Sequence, residues 1–144
     1  MSSAGDLLLG GVTAVAIDGQ AVLLEGPPGS GKSSLALALI DRGAGLIGDD
    51  GVRLSRSGGG LTASPPPHTA GLLEVRNVGL ITVDAITAPL ALILQLDAGA
   101  DRYPETVARR TLLDVQVPLL PFRAGDAVQA LRAEWALRLH GLAR

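Results

Sequence analysis

The 144-residue chain has no cysteine, a single lysine, two histidines and three aromatic residues, Tyr103, Phe122 and Trp135. Without thiols it can form neither disulfides nor a thiolate nucleophile. The shortage of aromatics leaves few platforms on which bases could stack, and a net charge of −2 with a pI near 5.6 argues against nucleic acid as a partner. The two histidines, His68 and His140, lie too far apart in sequence to form a metal-spacing cluster. Long apolar runs are also missing. The longest, Ala88 to Leu96, contains Pro89 and Gln95 and is too short to span a bilayer, so no membrane insertion is expected. Met1-Ser2-Ser3-Ala4-Gly5-Asp6 carries no basic residue ahead of Leu7-Leu8-Leu9, so no signal peptide is expected, and a cytoplasmic location is the default. The 47% hydrophobic content is almost wholly Ala, Val, Leu and Ile, and the length suits one domain, residues 1–144, with an aliphatic core.

The lone lysine sits in the most informative segment. Gly26-Pro27-Pro28-Gly29-Ser30-Gly31-Lys32-Ser33 fits G-x-x-x-x-G-K-[ST] at every fixed position, and Ser34 follows it. Glycines let such a loop fold into a nest of inward-pointing N–H groups. The lysine reaches the β/γ-phosphates of a nucleotide, and the serine hydroxyl ligates Mg²⁺. The context the motif needs is also present. Ala21 to Glu25 has the length and composition of a buried strand, and Ser34 to Arg42 is rich in helix formers and stops at Gly43. The expected ligands are ATP and Mg²⁺.

Along the rest of the chain, Val12 to Ile17 and Ala21 to Glu25 read as strands joined by an Asp18-Gly19 hairpin turn. Val52-Arg53-Leu54 and Leu61-Thr62-Ala63 read as strands flanking a Gly-rich turn, and Ser64 to His68 as an extended proline loop. Leu90 to Asp97 reads as a buried strand ending in an acid. Ala98 to Arg110 is expected to be a mobile loop, Leu112 to Val117 a strand, and Pro118 to Gly125 turn-rich. Ala127 to Leu142 is the second expected helix, with Val128, Leu131, Trp135 and Leu139 on one apolar face assigned to the core. Many short strands with two helices imply an α/β P-loop domain with a β-rich sheet.

A nucleotide–metal site needs a further acid, and two candidates follow apolar segments: Asp49-Asp50 and Asp97. One carboxylate of an Asp pair could hold the metal while the other accepts a proton from an attacking hydroxyl. Glu74 and Arg76, two apart on an expected strand, share a face and could hold metal and phosphate, or simply pair with each other.

Taken together, Gly26 to Asp50 and Leu73-Glu74-Val75-Arg76-Asn77-Val78-Gly79-Leu80-Ile81 resemble the catalytic domain of the HPr kinase/phosphorylase family. The shared features are the P-loop, a helix ending Ile40-Asp41-Arg42-Gly43, the Asp49-Asp50 pair and the Leu-Glu-Val-Arg segment. The resemblance implies a fold like that of HPr kinase and PEP carboxykinase. It also implies ATP-dependent phosphorylation of a serine on an HPr-type phosphocarrier of the phosphotransferase system, in many members with reverse phosphorolysis, and assembly as a hexamer. By the same resemblance Ser33, Asp49 and Glu74 surround Mg²⁺, Asp50 is the base, and Arg102 serves dephosphorylation. Arg76 and Arg123 touch the protein substrate. The chain departs from the pattern at Gly11, where the family has a histidine, at Ser34, where it has an acid, and at Asn77, where it has a glycine. Those departures keep open a nucleotide-binding regulatory module impaired in transfer; a second alternative is another small P-loop kinase or ATPase that shares only the loop and uses Asp97 for the metal.

Overall fold

The computed structural model describes residues 5–143, so the reading of the extreme N-terminus, Met1 to Ala4, lies outside the described residues. Eleven strands and two helices follow in order: β1 (Leu7–Gly10), β2 (Thr13–Ile17), β3 (Gln20–Glu25), α1 (Lys32–Asp41), β4 (Gly45–Gly48), β5 (Gly51–Ser57), β6 (Gly60–Ser64), β7 (Leu72–Val75), β8 (Gly79–Thr82), β9 (Ala88–Leu96), β10 (Ala108–Leu112), β11 (Val115–Phe122) and α2 (Gln129–His140).

Nine strands form one curled, mixed sheet in the order β1-β5-β6-β9-β3-β2-β4, with β11 and then β10 attached through β9. Strand β9 is the branch point. It pairs with β6 at Ala88 and Pro89, runs parallel to β3 from Leu90 to Gln95, and runs parallel to β11 from Ile93 to Leu96. Strands β3 and β9 are therefore covered on both faces, which is why they read as unbroken apolar runs. On one face Val22, Leu24, Leu92 and Leu94 pack against Leu35 and Leu39 of α1 and Ala133 and Leu137 of α2. On the other, Leu23, Leu90 and Ile93 pack against Val52, Leu54 and Leu61, where β5 and β6 curl over the sheet. Strands β7 and β8 form a separate hairpin. Among the described residues, no helix is long and apolar enough to cross a membrane.

Three expectations change. The stretch expected as one strand, Leu112 to Val117, is a hairpin corner: Leu113 and Asp114 take φ of 48° and 65°, turning β10 into β11. Neither residue is Gly or Asn, so the usual signal of a two-residue turn is missing. Strand β11 then continues through Pro118 and Pro121, which were expected to break it. Pro118 precedes the pairing with β9 and Pro121 follows the end of pairing with β10, so each has a free flank where a missing N–H leaves no ladder bond unmade. The loop expected from Ala98 to Arg110 accordingly ends at Val107.

The third change is the orientation of α2. Its buried residues are Ala130, Ala133, Ala136 and Leu137, while Leu131, Trp135 and Leu139 are 40%, 55% and 71% exposed. Small alanines let the helix lie close to the sheet, and the large apolar stripe faces outward. The Arg138 guanidinium lies over the Trp135 ring, 4.7 Å from the centroid. Trp135→Ala is thus expected to reduce the monomer's unfolding free energy by about 1 kcal/mol or less, the scale of an exposed cation–π contact. Loss of a buried aromatic would cost about 3–5 kcal/mol. Urea unfolding at low protein concentration checks this; a loss on the larger scale would put the ring in the core.

Candidate active site

The glycine loop joins β3 to α1 as the motif requires. Gly29 and Gly31 have φ of 81° and 102°, a left-handed backbone that residues with a Cβ adopt at a penalty. These turns let the chain enter α1 at Lys32 with Gly31 as its N-cap. The Lys32 ammonium folds over the loop and donates to the carbonyls of Gly26 at 2.5 Å and Pro27 at 3.3 Å. The N-terminal end of α1 and the glycines of the loop line one cleft, an arrangement suited to anionic oxygens. Pro27 and Pro28 remove two N–H groups from the loop but leave those of Gly29, Gly31, Lys32 and Ser33.

Asp49 lies directly beside this loop, at the turn from β4 to β5. Its Oδ1 accepts hydrogen bonds from the Ser33 hydroxyl at 2.7 Å and the Thr13 hydroxyl at 3.0 Å, and its Oδ2 accepts one from the Glu74 backbone N–H at 3.1 Å. Three segments distant in sequence thus converge on one carboxylate. Asp50 follows in a left-handed conformation with φ of 62°, exposed, its carbonyl held by the Gly11 N–H at 3.1 Å. The turn is tight because Gly48 has no side chain: a Cβ there would lie 2.1 Å from the Gly51 carbonyl oxygen.

A cleft of about 620 Å³ gathers Thr13, Pro28, Gly29, Gly31, Lys32, Ser33, Ser34, Asp49, Asp50, Glu74 and Arg76. Of the residues expected at the site, this brings together the helix end of the loop, both aspartates, Glu74 and Arg76. Arg76 is not on the strand with Glu74, as expected, but in the β7–β8 turn, because β7 ends at Val75. In that turn Asn77 has φ of 68°, a conformation that glycine adopts freely and asparagine tolerates best among other residues, so the departure at this position preserves the hairpin.

Three expected residues lie elsewhere. Asp97 sits on the opposite flank of the loop, in a cavity shared with Glu25, Pro27, Ser30 and Gln95, and its Oδ1 accepts the Gly99 N–H at 2.8 Å. Arg102 and Arg123 line a third cavity of about 540 Å³ with Tyr103, Asp126 and Arg132. Arg123 there donates to the Ala100 carbonyl at 3.1 Å. Thr13 is the converse case, a residue that sequence reading passed over. It is 1% exposed, the one buried polar side chain among the described residues. A lone threonine opening an apolar strand is the only sequence signal it gives.

The donors beside Ser33 are oxygens: its own hydroxyl and the Asp49 carboxylate that accepts from it, with Asp50 and Glu74 lining the same cleft, and no group of three or more His, Cys, Asp or Glu is close enough to cage a metal among the described residues. That chemistry fits Mg²⁺, which binds through one or two carboxylates and completes its shell with phosphate and water.

The chain is similar to known proteins over most of its length. The family model of the HPr Serine kinase C-terminal domain matches residues 6–131. The HPr kinase/phosphorylase of Clostridium tetani is 35% identical over 132 residues, covering 81% of this chain and 43% of the relative. That of Clostridium botulinum (strain Eklund 17B / Type B) is 48% identical over 69 residues, covering 48% of this chain and 23% of the relative. The chain therefore spans less than half the length of these curated relatives. Among solved structures, the Hpr(Ser) kinase/phosphatase from Coxiella burnetii superposes with a TM-score of 0.81 at 25% identity, covering 93% of this chain and 90% of that one.

Proposed function

Because the chain belongs to the HPr Serine kinase C-terminal domain family, we propose that it transfers the γ-phosphoryl group of ATP to a serine of an HPr-type phosphocarrier protein in the cytoplasm. The observation that carries this reading is the Ser33–Asp49 hydrogen bond beside the glycine loop, with Asp50 next in sequence and open to the same cleft. This geometry favours Asp49 over Asp97 as the metal-side acid.

In this reading the loop N–H groups and Lys32 bind the β- and γ-phosphates, and Ser33, Asp49 and Glu74 would hold Mg²⁺. When bound, the ion neutralises charge on the phosphates and orients them. Asp50 accepts the proton of the substrate serine as its oxygen attacks the γ-phosphorus. The new O–P bond forms, the bond from the γ-phosphorus to the β–γ bridging oxygen breaks, and ADP leaves. Catalysis is positioning plus charge stabilisation. Arg76, in the exposed β7–β8 turn at the cleft, and Arg123 are assigned to contact with the protein substrate. Reverse phosphorolysis is not assigned: Gly11 offers no imidazole, and Arg102 faces the neighbouring cavity. A homo-oligomer, hexameric by family resemblance, is the proposed cover for the exposed α2 stripe.

Intact-mass analysis of an HPr-type carrier after incubation with the chain and Mg-ATP tests the proposal. A single phosphoryl addition on serine is expected, and none with Lys32→Ala. No addition despite demonstrated ATP binding would overturn it in favour of a regulatory nucleotide-binding module.

A further inference from the structure

The buried Thr13 hydroxyl touches both members of the aspartate pair. Its hydrogen goes to Asp49 Oδ1 at 3.0 Å, and its oxygen accepts the Asp50 backbone N–H at 3.5 Å. Its placement comes from an irregularity in the sheet. Between β2 and β4, Ala14 pairs with Gly48 but Val15 pairs with Leu46, so Ile47 is skipped as a bulge. Beyond that bulge, the next residues along the two strands are Thr13 and Asp49, which meet where the ladder opens into the turn. Bulges beside sites commonly re-aim one side chain.

We propose that Thr13 is a positioning residue, whose hydroxyl locks Asp49 toward the metal side of the cleft and Asp50 toward the substrate side. It acts through the two acids and touches neither nucleotide nor substrate. Three observations argue for this rather than for a packing role. Thr13 is 1% exposed although it lines the cleft, so its hydroxyl is all but closed to bulk water and its hydrogen bonds go to the pair. The Asp49 carboxylate has two oxygens that must serve Ser33, Thr13 and Glu74 at once, and removing one donor frees it to rotate. Asp50 sits in a left-handed backbone conformation, which aspartate tolerates, and its backbone hydrogen bonds with Gly11 and Thr13 fix it in that turn.

The Asp50 half of this role rests on the kinase reading; the Asp49 half is testable without it. Thr13→Val keeps the shape and removes the hydroxyl, whereas Thr13→Ser keeps the hydroxyl and removes the methyl. Mn²⁺ affinity is measured by electron paramagnetic resonance on the full chain with a non-hydrolysable ATP analogue, and melting temperature is recorded alongside. Thr13→Val is expected to weaken Mn²⁺ binding by about 10–100-fold, the usual effect of removing a group that orients a metal ligand. Thr13→Ser is expected to bind near the wild-type level even where its melting temperature falls. If Thr13→Val does not fold, Thr13→Ala takes its place in the comparison. In the transfer assay the hydroxyl-less variant should lose kcat as well as raise the KM for nucleotide. Wild-type Mn²⁺ affinity without the hydroxyl, or equal losses in Thr13→Ser and Thr13→Val, would overturn the proposal. A wild-type chain that fails to transfer while the Mn²⁺ ranking holds would sink the kinase reading and leave Thr13's hold on Asp49 intact.

Discussion

Asp50→Asn is expected to lower phosphoryl transfer by about 10²–10⁴-fold, the range for removing a general base, while Mg-ATP binds as in the wild type. Asparagine has nearly the same shape and tolerates the left-handed backbone that Asp50 adopts at φ 62°, so the turn should survive. Its amide cannot take a proton from the attacking serine. The exposure of Asp50 at the cleft matters here, because a base must reach the incoming hydroxyl, whereas Asp49 is drawn inward by Ser33, Thr13 and the Glu74 N–H. The two acids are thereby given different tasks by their neighbours. Asp49→Asn should weaken metal-dependent nucleotide binding, and Asp97→Asn, on the far flank of the loop, should leave both binding and transfer close to normal. Single-turnover transfer with calorimetric titration of Mg-ATP separates these outcomes. Undiminished transfer in Asp50→Asn would remove Asp50 as the base, and strong dependence on Asp97 would favour the unrelated-kinase reading.

Gly48→Ala is the substitution expected to damage the fold and the site together. The added Cβ would meet the Gly51 carbonyl oxygen at 2.1 Å and Pro66 Cδ at 2.9 Å. Both distances are below van der Waals contact, and the nearer obstacle is backbone, which cannot rotate away as a side-chain tip can. Overpacking of this kind costs about 1–3 kcal/mol, and the upper end is expected because β4 and β5 must separate to accommodate it. Separation moves Asp49 and Asp50, which sit between those strands, so metal-dependent nucleotide binding should fall with stability. Gly59→Ala is the matched control: nothing lies within 4 Å of its added Cβ and its backbone is not left-handed. Urea unfolding of the two variants checks this. A Gly48→Ala protein as stable as Gly59→Ala would mean that the turn is looser than its geometry implies.

Legibility followed the range of the forces involved. The loop from Gly26 to Ser33, the strand before it, the helix after it and the Asp18-Gly19 hairpin are short-range features, set by glycine backbone freedom, helix propensity and uninterrupted apolar runs. Each stands where sequence reading put it. The turns missed at Leu113-Asp114 and at Arg76-Asn77 were local and lacked a glycine signal; the larger errors involved choices between partners distant in sequence. Strand β11 holds two prolines because β9 and β10 pair with different parts of it, which nothing within residues 115–122 reveals. Helix α2 has an apolar stripe and an alanine stripe, and hydrophobic periodicity favours the larger one. Close approach to the sheet favoured the smaller.

The site divides along the same line. By itself the sequence determined that a glycine loop joins a strand to a helix, which lysine and serine it presents, and that an acidic pair follows that helix, because those features are written in contiguous residues whose local conformations are strongly biased. Only the tertiary structure decided between Asp49 and Asp97 as the neighbour of Ser33, drew Thr13 into contact with both aspartates, and set Arg102 and Arg123 around a separate cavity. The physical reason is that these are contacts across strands. Their geometry depends on sheet order, a one-residue bulge between β2 and β4, and the absence of a Cβ at Gly48, and none of these leaves a periodic trace in the chain.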